Sequence, residues 1–289
     1  MSLRINTNVQ ALFGHRMVQK NDSAMSKSLE KLSSGLKINR ASDNPAGLII
    51  SEQLRAQVGG LEQAQNNTEA AISMVQTAEG SLDEMNSLLG KAKKLALSSM
   101  SDATTDATQA AANQTEFANI VSSIQRIVDQ TQYASAKLLD GTMSAGKTVQ
   151  LGAFVGQNTT ISIMPLGTAY IGVLSTNGID IVAGTQLSAM SITNATVATS
   201  ALASIEGAIT LVSSRRGQLG AIQANSLETS LNSLRASSEN LKAAESTVRD
   251  VDFAAESATF TRNQILVQSA TAMLAQANQL PQSVLKLLG

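Results

Sequence analysis

The chain has 289 residues, a formal net charge of −1 and no cysteine, which excludes disulfides and thiol chemistry and leaves no strong field to draw nucleic acid or anionic lipid. With no Trp, two Tyr and five Phe, the large rings that dominate a compact core are nearly missing. Burial must rest on Ala, Leu, Ile, Val and ten Met, side chains that suit close helix-to-helix seams. His15 is the one histidine and no HExxH occurs, so no histidine metal cluster is expected. Paired acids such as Asp250 and Asp252 read as solvated helix faces. No catalytic residue, metal or cofactor is expected, and the chain does not read as an enzyme.

The opening MSLRINTNVQALFGHRMVQK holds no apolar run long enough for a secretory signal, and no later run of 18 apolar residues reads as a membrane span. The expectation is a protein that stays inside the cell or leaves it by a route needing no cleaved signal. A first stripe follows at Met25, Leu29, Leu32 and Leu36. It meets LSSGLKINRASDNPAG at 32–47, where Gly35 suits a helix end and Asn44 suits an N-cap with Pro45 at the first helical position.

From Leu61 the sequence keeps alternating three- and four-residue spacings: Leu61, Ala64, Thr68, Ala71, Val75, Ala78, Leu82, Met85, Leu89, Ala92 and Ala96, with one polar exception. That is a sustained heptad stripe, and a helix from 45 to 100 would be about 80 Å long at about 1.5 Å per residue. SDATTDATQ at 101–109 reads as a connector. Phe117, Ile120, Ile124 and Ile127 mark the next helix.

Between 141 and 184 glycine becomes frequent, and the alternation of Val149, Leu151, Ala153 and Val155, then Ile161 and Ile163, predicts a hairpin over 147–164 with Gly156 to Asn158 near its turn. Residues 166–194 read as short strands and loops. Helical spacing returns with Leu202, Ile205, Ile209 and Val212, and continues through Leu227, Leu231, Leu234, Leu241 and Val248. Arg215 and Arg216 lie mid-helix, open to a neighbour's carboxylate or to solvent. The last stripe is Leu266, Ala270, Met273, Ala277, Leu280, Val284 and Leu287, with Pro281 expected to remove one backbone bond and bend the helix.

The fold class expected is mainly α: a long antiparallel helical rod or coiled coil with paired N- and C-terminal helices and a small central β-hairpin region. A thin terminal stripe returns less than its backbone entropy costs, so both ends are expected to be disordered in a monomer and to fold against each other and against neighbouring copies.

NTNVQAL, LSSGLKINRASDNPAG, NTEAAISMVQTAEGSLDEMNSLL, QTQYASAKLLDG and the closing AESTVRDVDFAAESATFTRNQILVQSATAMLAQANQLPQSVLKLLG together resemble bacterial flagellin over about 2–140 and 200–289, in the right order. The resemblance implies a short form lacking large outer domains. It implies an inner coiled coil from 1–35 plus 255–289, assembled through Met25, Leu29, Leu32, Leu36, Leu266, Met273, Leu280, Val284 and Leu287. A spoke linker at 36–44, with Gly35, Lys37, Arg40 and Pro45, would lead to a helical rod domain from 45–165 plus 195–254. Residues 166–194 would be a short variable segment in place of outer domains.

By the same resemblance the chain is exported through the flagellar type III apparatus, is held by an export chaperone at about 250–289, meets the filament cap and hook-associated proteins, and polymerises with its own copies outside the cell for swimming motility. A vertebrate innate immune receptor reads some members at R-x-R-E-L-A-V and at a Glu on the next helix. Here KAKKLAL puts Lys91, Lys93 and Leu95 in that stretch and Glu116 in the second position, with Lys94 in place of an acid. A hook-filament junction protein, which shares the terminal helices, is the alternative reading; a chemoreceptor hairpin would need membrane spans.

Overall fold

The computed structural model describes residues 8–101, 106–166 and 190–288, with side chains through 279. The helices are α1 Val9–Ser34, α2 Pro45–Ser99, α3 Ala107–Gln130, α4 Ala195–Ile222, α5 Thr229–Arg249 and α6 Phe253–Leu288, and the strands are β1 Gln132–Tyr133, β2 Ala136–Lys137, β3 Lys147–Gln150 and β4 Asn158–Ile161. A π-helical stretch, Gln223–Glu228, joins α4 to α5. The mainly α class with a small hairpin region is what the heptad spacing predicts. Of the segment 166–194, residues 167–189 lie outside the described residues, and Leu166, Met190 and Ile192 at its two ends are buried in the core.

The chain divides into two compact units, Met1–Val58 with Glu239–Gly289 and Gly59–Ser238. The division falls within α2 and α5, so the connector between α1 and α2 belongs to the first unit.

In the second unit the α2 stripe is the spine of the core. Leu61, Ala64, Thr68, Ala71, Val75, Ala78, Leu82, Met85, Leu89, Ala92 and Ala96 are all buried. The polar exception is satisfied by its own helix: Thr68 Oγ1 donates to the Ala64 carbonyl at 2.7 Å. Against this spine pack Phe117, Ile120, Ile124 and Val128 of α3 and Ala198, Ala201, Ile205, Ala208 and Val212 of α4. The α4 seam differs from expectation, because Leu202 and Ile209 are only partly buried. Alanines take buried positions of α4 instead, and a small side chain at such a seam lets two helices pack closely.

Ion pairs follow the same antiparallel order along α2: Lys93 with Glu206 at 2.8 Å, Arg216 with Asp83 at 2.7 Å, and Arg235 with Glu69 at 2.8 Å. Arg216 therefore grips a carboxylate of its own chain, and Arg215 donates to Gln218. By length and composition the continuous helical run Ala195–Arg249 is apolar enough to cross a membrane. In this unit its Ala198, Ala201, Ile205, Ala208 and Val212 face the core.

β3 and β4 pair antiparallel, with Lys147 opposite Ile161 and Gln150 opposite Asn158. The alternation predicted beyond Leu151 fails there. β3 ends at Gln150, the Leu151 N–H closes the pair by donating to the Gln157 carbonyl at 2.8 Å, and Phe154 and Val155 stand exposed at the tip. Gly156, at φ 91°, takes the left-handed turn position. The shorter β1–β2 hairpin had no sequence signal. Its turn carries Ala134 at φ 51° rather than the Asn-Gly or Gly that normally marks such a turn.

Candidate assembly interface

The first unit is built on the antiparallel pair α1 and α6. Asn8 starts α1, its Oδ1 accepting from the Ala11 N–H at 3.0 Å. Asp252 starts α6, accepting from the Ala254 and Ala255 N–H groups at 2.9 and 3.1 Å. At the far end of the pair Lys31 faces Glu256 at 3.7 Å.

The seam mixes small and longer side chains. Ala11, Gly14, Ala24 and Ser28 of α1 turn inward with Met17, Val18 and Asn21 between them, and Val267, Ala270, Leu274 and Ala277 are the partly buried positions of α6. A Cβ on Gly14 would lie only 3.3 Å from Leu274 Cδ1. Periodicity alone missed Gly14 and Ser28, since neither is apolar enough to count in a stripe.

The larger apolar residues lie to the side of this seam. Leu29, Leu266 and Met273, predicted for assembly, are 56%, 43% and 68% exposed, and Val9, Leu12, Phe13 and Ile265 are exposed with them. A groove of about 880 Å³ runs between the helices, lined by Val9, Phe13, Met17, Leu266, Ala270 and Met273 among others. Met25, Leu32 and Leu36 are half-buried. The side chains of Leu280, Val284 and Leu287 lie outside the described residues.

The connector is held by backbone pairing to its own chain. Gly35 ends α1 at φ 73°, its N–H donating to the Lys31 carbonyl at 2.9 Å. The Lys37 N–H then donates to the Arg249 carbonyl at 2.7 Å, and the Val251 N–H to the Gly35 carbonyl at 3.0 Å. Arg40 Nε donates to Glu30 Oε1 at 2.9 Å, while the Lys37 side chain is exposed. Asp43 Oδ2 accepts from the Arg40 and Asn39 N–H groups at 3.0 and 3.3 Å. The Arg40 bond, above all, holds this carboxyl below its ordinary pKa. Asn44 Oδ1 accepts from the Gly47 N–H at 3.0 Å, capping α2 ahead of Pro45.

Of the receptor positions in the second unit, Lys91 and Glu116 are exposed and Leu95 is partly buried against the core. Lys93 is committed to Glu206. Among the described residues no group of His, Asp and Glu is arranged to hold a metal, and His15 is exposed. What this molecule offers chemically is apolar contact area on a helix pair.

Comparison with known proteins gives the same direction. Residues 5–144 match the bacterial flagellin N-terminal helical region, and residues 202–288 match the bacterial flagellin C-terminal helical region. A flagellin of Halalkalibacterium halodurans is 45% identical over 98% of this chain and 99% of its own length. A flagellin of Bacillus subtilis is 41% identical over 99% of this chain and all of its own. A flagellar filament 33 kDa core protein of Treponema phagedenis is 37% identical over 98% of this chain and 99% of its own.

Proposed function

The chain belongs to the bacterial flagellin family and is a structural subunit of the flagellar filament, and from that premise we propose that it assembles through the apolar face that α1 and α6 leave open. The observation that supports this is the exposure of Leu266 and Met273 beside the α1–α6 groove. A soluble surface rarely carries so continuous an apolar strip unless something covers it. The short form without large outer domains matches the length of relatives covered end to end. Relatives of that length are called flagellins and filament core proteins, which favours this reading over the junction protein.

In this reading 1–35 with 255–289 form the inner coiled coil, ordered on assembly; 36–44 is the spoke; 45–165 with 195–254 form the rod domain; and 166–194 is the variable segment. Lys37 and Arg40 lie at contacts between copies, with Gly35 and Pro45 setting the path. Export is by the type III route to the cell exterior, followed by growth beneath the filament cap on hook-associated proteins. The chaperone takes the segment from about 250 to 289, so Leu266, Met273, Leu280, Val284 and Leu287 serve either the chaperone or a neighbouring copy, never both at once. Leu280→Asp with Leu287→Asp weakens both bound states, and retention of either refutes the shared surface.

Seeded polymerisation of the purified chain tests the assembly reading directly. Wild type elongates on filament fragments, while Leu266→Asp with Met273→Asp leaves the second unit folded and stops growth. Wild type that never elongates, or a double variant that elongates normally, overturns it. Recognition by the innate receptor at Lys91, Leu95 and Glu116 is expected to be weak, because lysine lacks arginine's planar fork. A receptor reporter assay on the monomer, answering as strongly as it does to a flagellin bearing both arginines, refutes that.

A further inference from the structure

Asn8 makes two bonds with one side chain, and they join opposite ends of the sequence. Its Oδ1 caps α1 by accepting from the Ala11 N–H at 3.0 Å, and its Nδ2 donates to the Ala277 carbonyl of α6 at 2.8 Å. In a regular helix that carbonyl would accept from the N–H four residues on. Here that residue is Pro281, inside α6, and proline has no N–H. A partly buried carbonyl without a donor is costly. The amide of Asn8 supplies the donor from the partner helix.

We propose that Asn8 is a register clasp, fixing α1 against α6 through the carbonyl that Pro281 leaves open. The seam explains why such a device is needed. Its inward face on α1 alternates Ala11, Gly14, Ala24 and Ser28 with Met17, Val18 and Met25, and small or flexible unbranched side chains resist sliding less than interlocked branched ones do. A directional bond to a carbonyl without its helical donor distinguishes one axial position from its neighbours, because a carbonyl in a regular helix interior is already taken by the N–H four residues on. The clasp acts within one chain and stands or falls apart from polymerisation.

Register is read by a disulfide. The chain has no cysteine, and a Cβ on Gly14 lies 3.6 Å from Leu274 Cβ, within the span a disulfide bridges. The Gly14→Cys, Leu274→Cys protein is oxidised both as soluble chain and as polymer, and the rate of intramolecular closure is followed by gel mobility. Asn8→Ser keeps a capping oxygen and loses the amide donor. It slows closure about fivefold, the factor matching one typical hydrogen bond. In a Pro281→Ala background residue 281 donates to Ala277 itself, and Asn8→Ser slows closure less than twofold. Asn8→Asp, isosteric but without the donor, behaves as Asn8→Ser does in the parent and guards against a folding artefact. Equal slowing in both backgrounds makes Asn8 a cap alone, and no slowing in either, or a cysteine pair that closes in neither state, likewise overturns the clasp.

Discussion

Gly35, Thr68 and Asp43 show how much single positions decide. A Cβ on Gly35 would meet nothing within 4 Å, so its requirement is purely conformational, set by φ 73°. Gly35→Ala is expected to cost about 1 kcal/mol from backbone strain, measured by urea denaturation of the assembled protein, where the first unit is ordered. Thr68 is the opposite case: fully buried, its hydroxyl already satisfied by the Ala64 carbonyl. Thr68→Val keeps the shape and removes a back-bond that strains its helix, so thermal denaturation is expected to show a stability unchanged or raised by about 0.5 kcal/mol. Asp43 carries a lowered pKa through its bond from the Arg40 N–H. A depressed folded pKa means that its contribution is present above the unfolded carboxylate value and is lost as pH falls through the folded one. Amide exchange at Asn39 and Arg40 is therefore expected to quicken on acidification beyond its intrinsic pH trend, and Asp43→Asn should remove that pH dependence.

Among the elements, α2 and the α1–α6 pair make contrasting demands on their seams. On α2, Leu82 and Leu89 are fully buried among α3 and α4 side chains, and Leu82→Ala is expected to cost about 2–5 kcal/mol in the second unit. The α1–α6 seam instead depends on closeness. Gly14→Leu has no room against Leu274 and should separate the helices, seen in the filament as loss of the slow-exchanging amides of both. The heptad spacing made α2 legible almost residue by residue, since a single buried stripe and its period coincide. The same rule was met only in part on α6: of its stripe Ala270 and Ala277 turn inward while Leu266 and Met273 stand exposed, and Val267 and Leu274, outside the stripe, complete the seam. Two apolar stripes lie side by side on that helix, and spacing cannot rank them by partner.

Across the whole molecule, the two units differ in what they bury alone. The second closes a continuous core from α2, α3, α4 and the β3–β4 region, whereas the first leaves large apolar side chains along α1 and α6 in solvent. Amides of α1 and α6 are accordingly expected to exchange fast in the monomer and slowly in the filament, while those of α2 around Val75 to Leu89 stay slow in both. Slow exchange across both termini of the monomer would show that the pair needs no neighbour.

Composition, period and the positions of glycine and proline suffice for the helical class, the helix ends at Gly35 and Pro45, the hairpin near 147–164 and the likeness to flagellin, because each is a local consequence of backbone freedom or side-chain repeat. The choice of Ala198 and Ala208 over Leu202 and Ile209 on α4, the return of Arg216 to Asp83 of the same chain, the pairing of Lys37 with Arg249 and the reach of Asn8 to Ala277 have no local signature. They depend on which segments meet across up to 269 residues of chain, and only packing in three dimensions decides that.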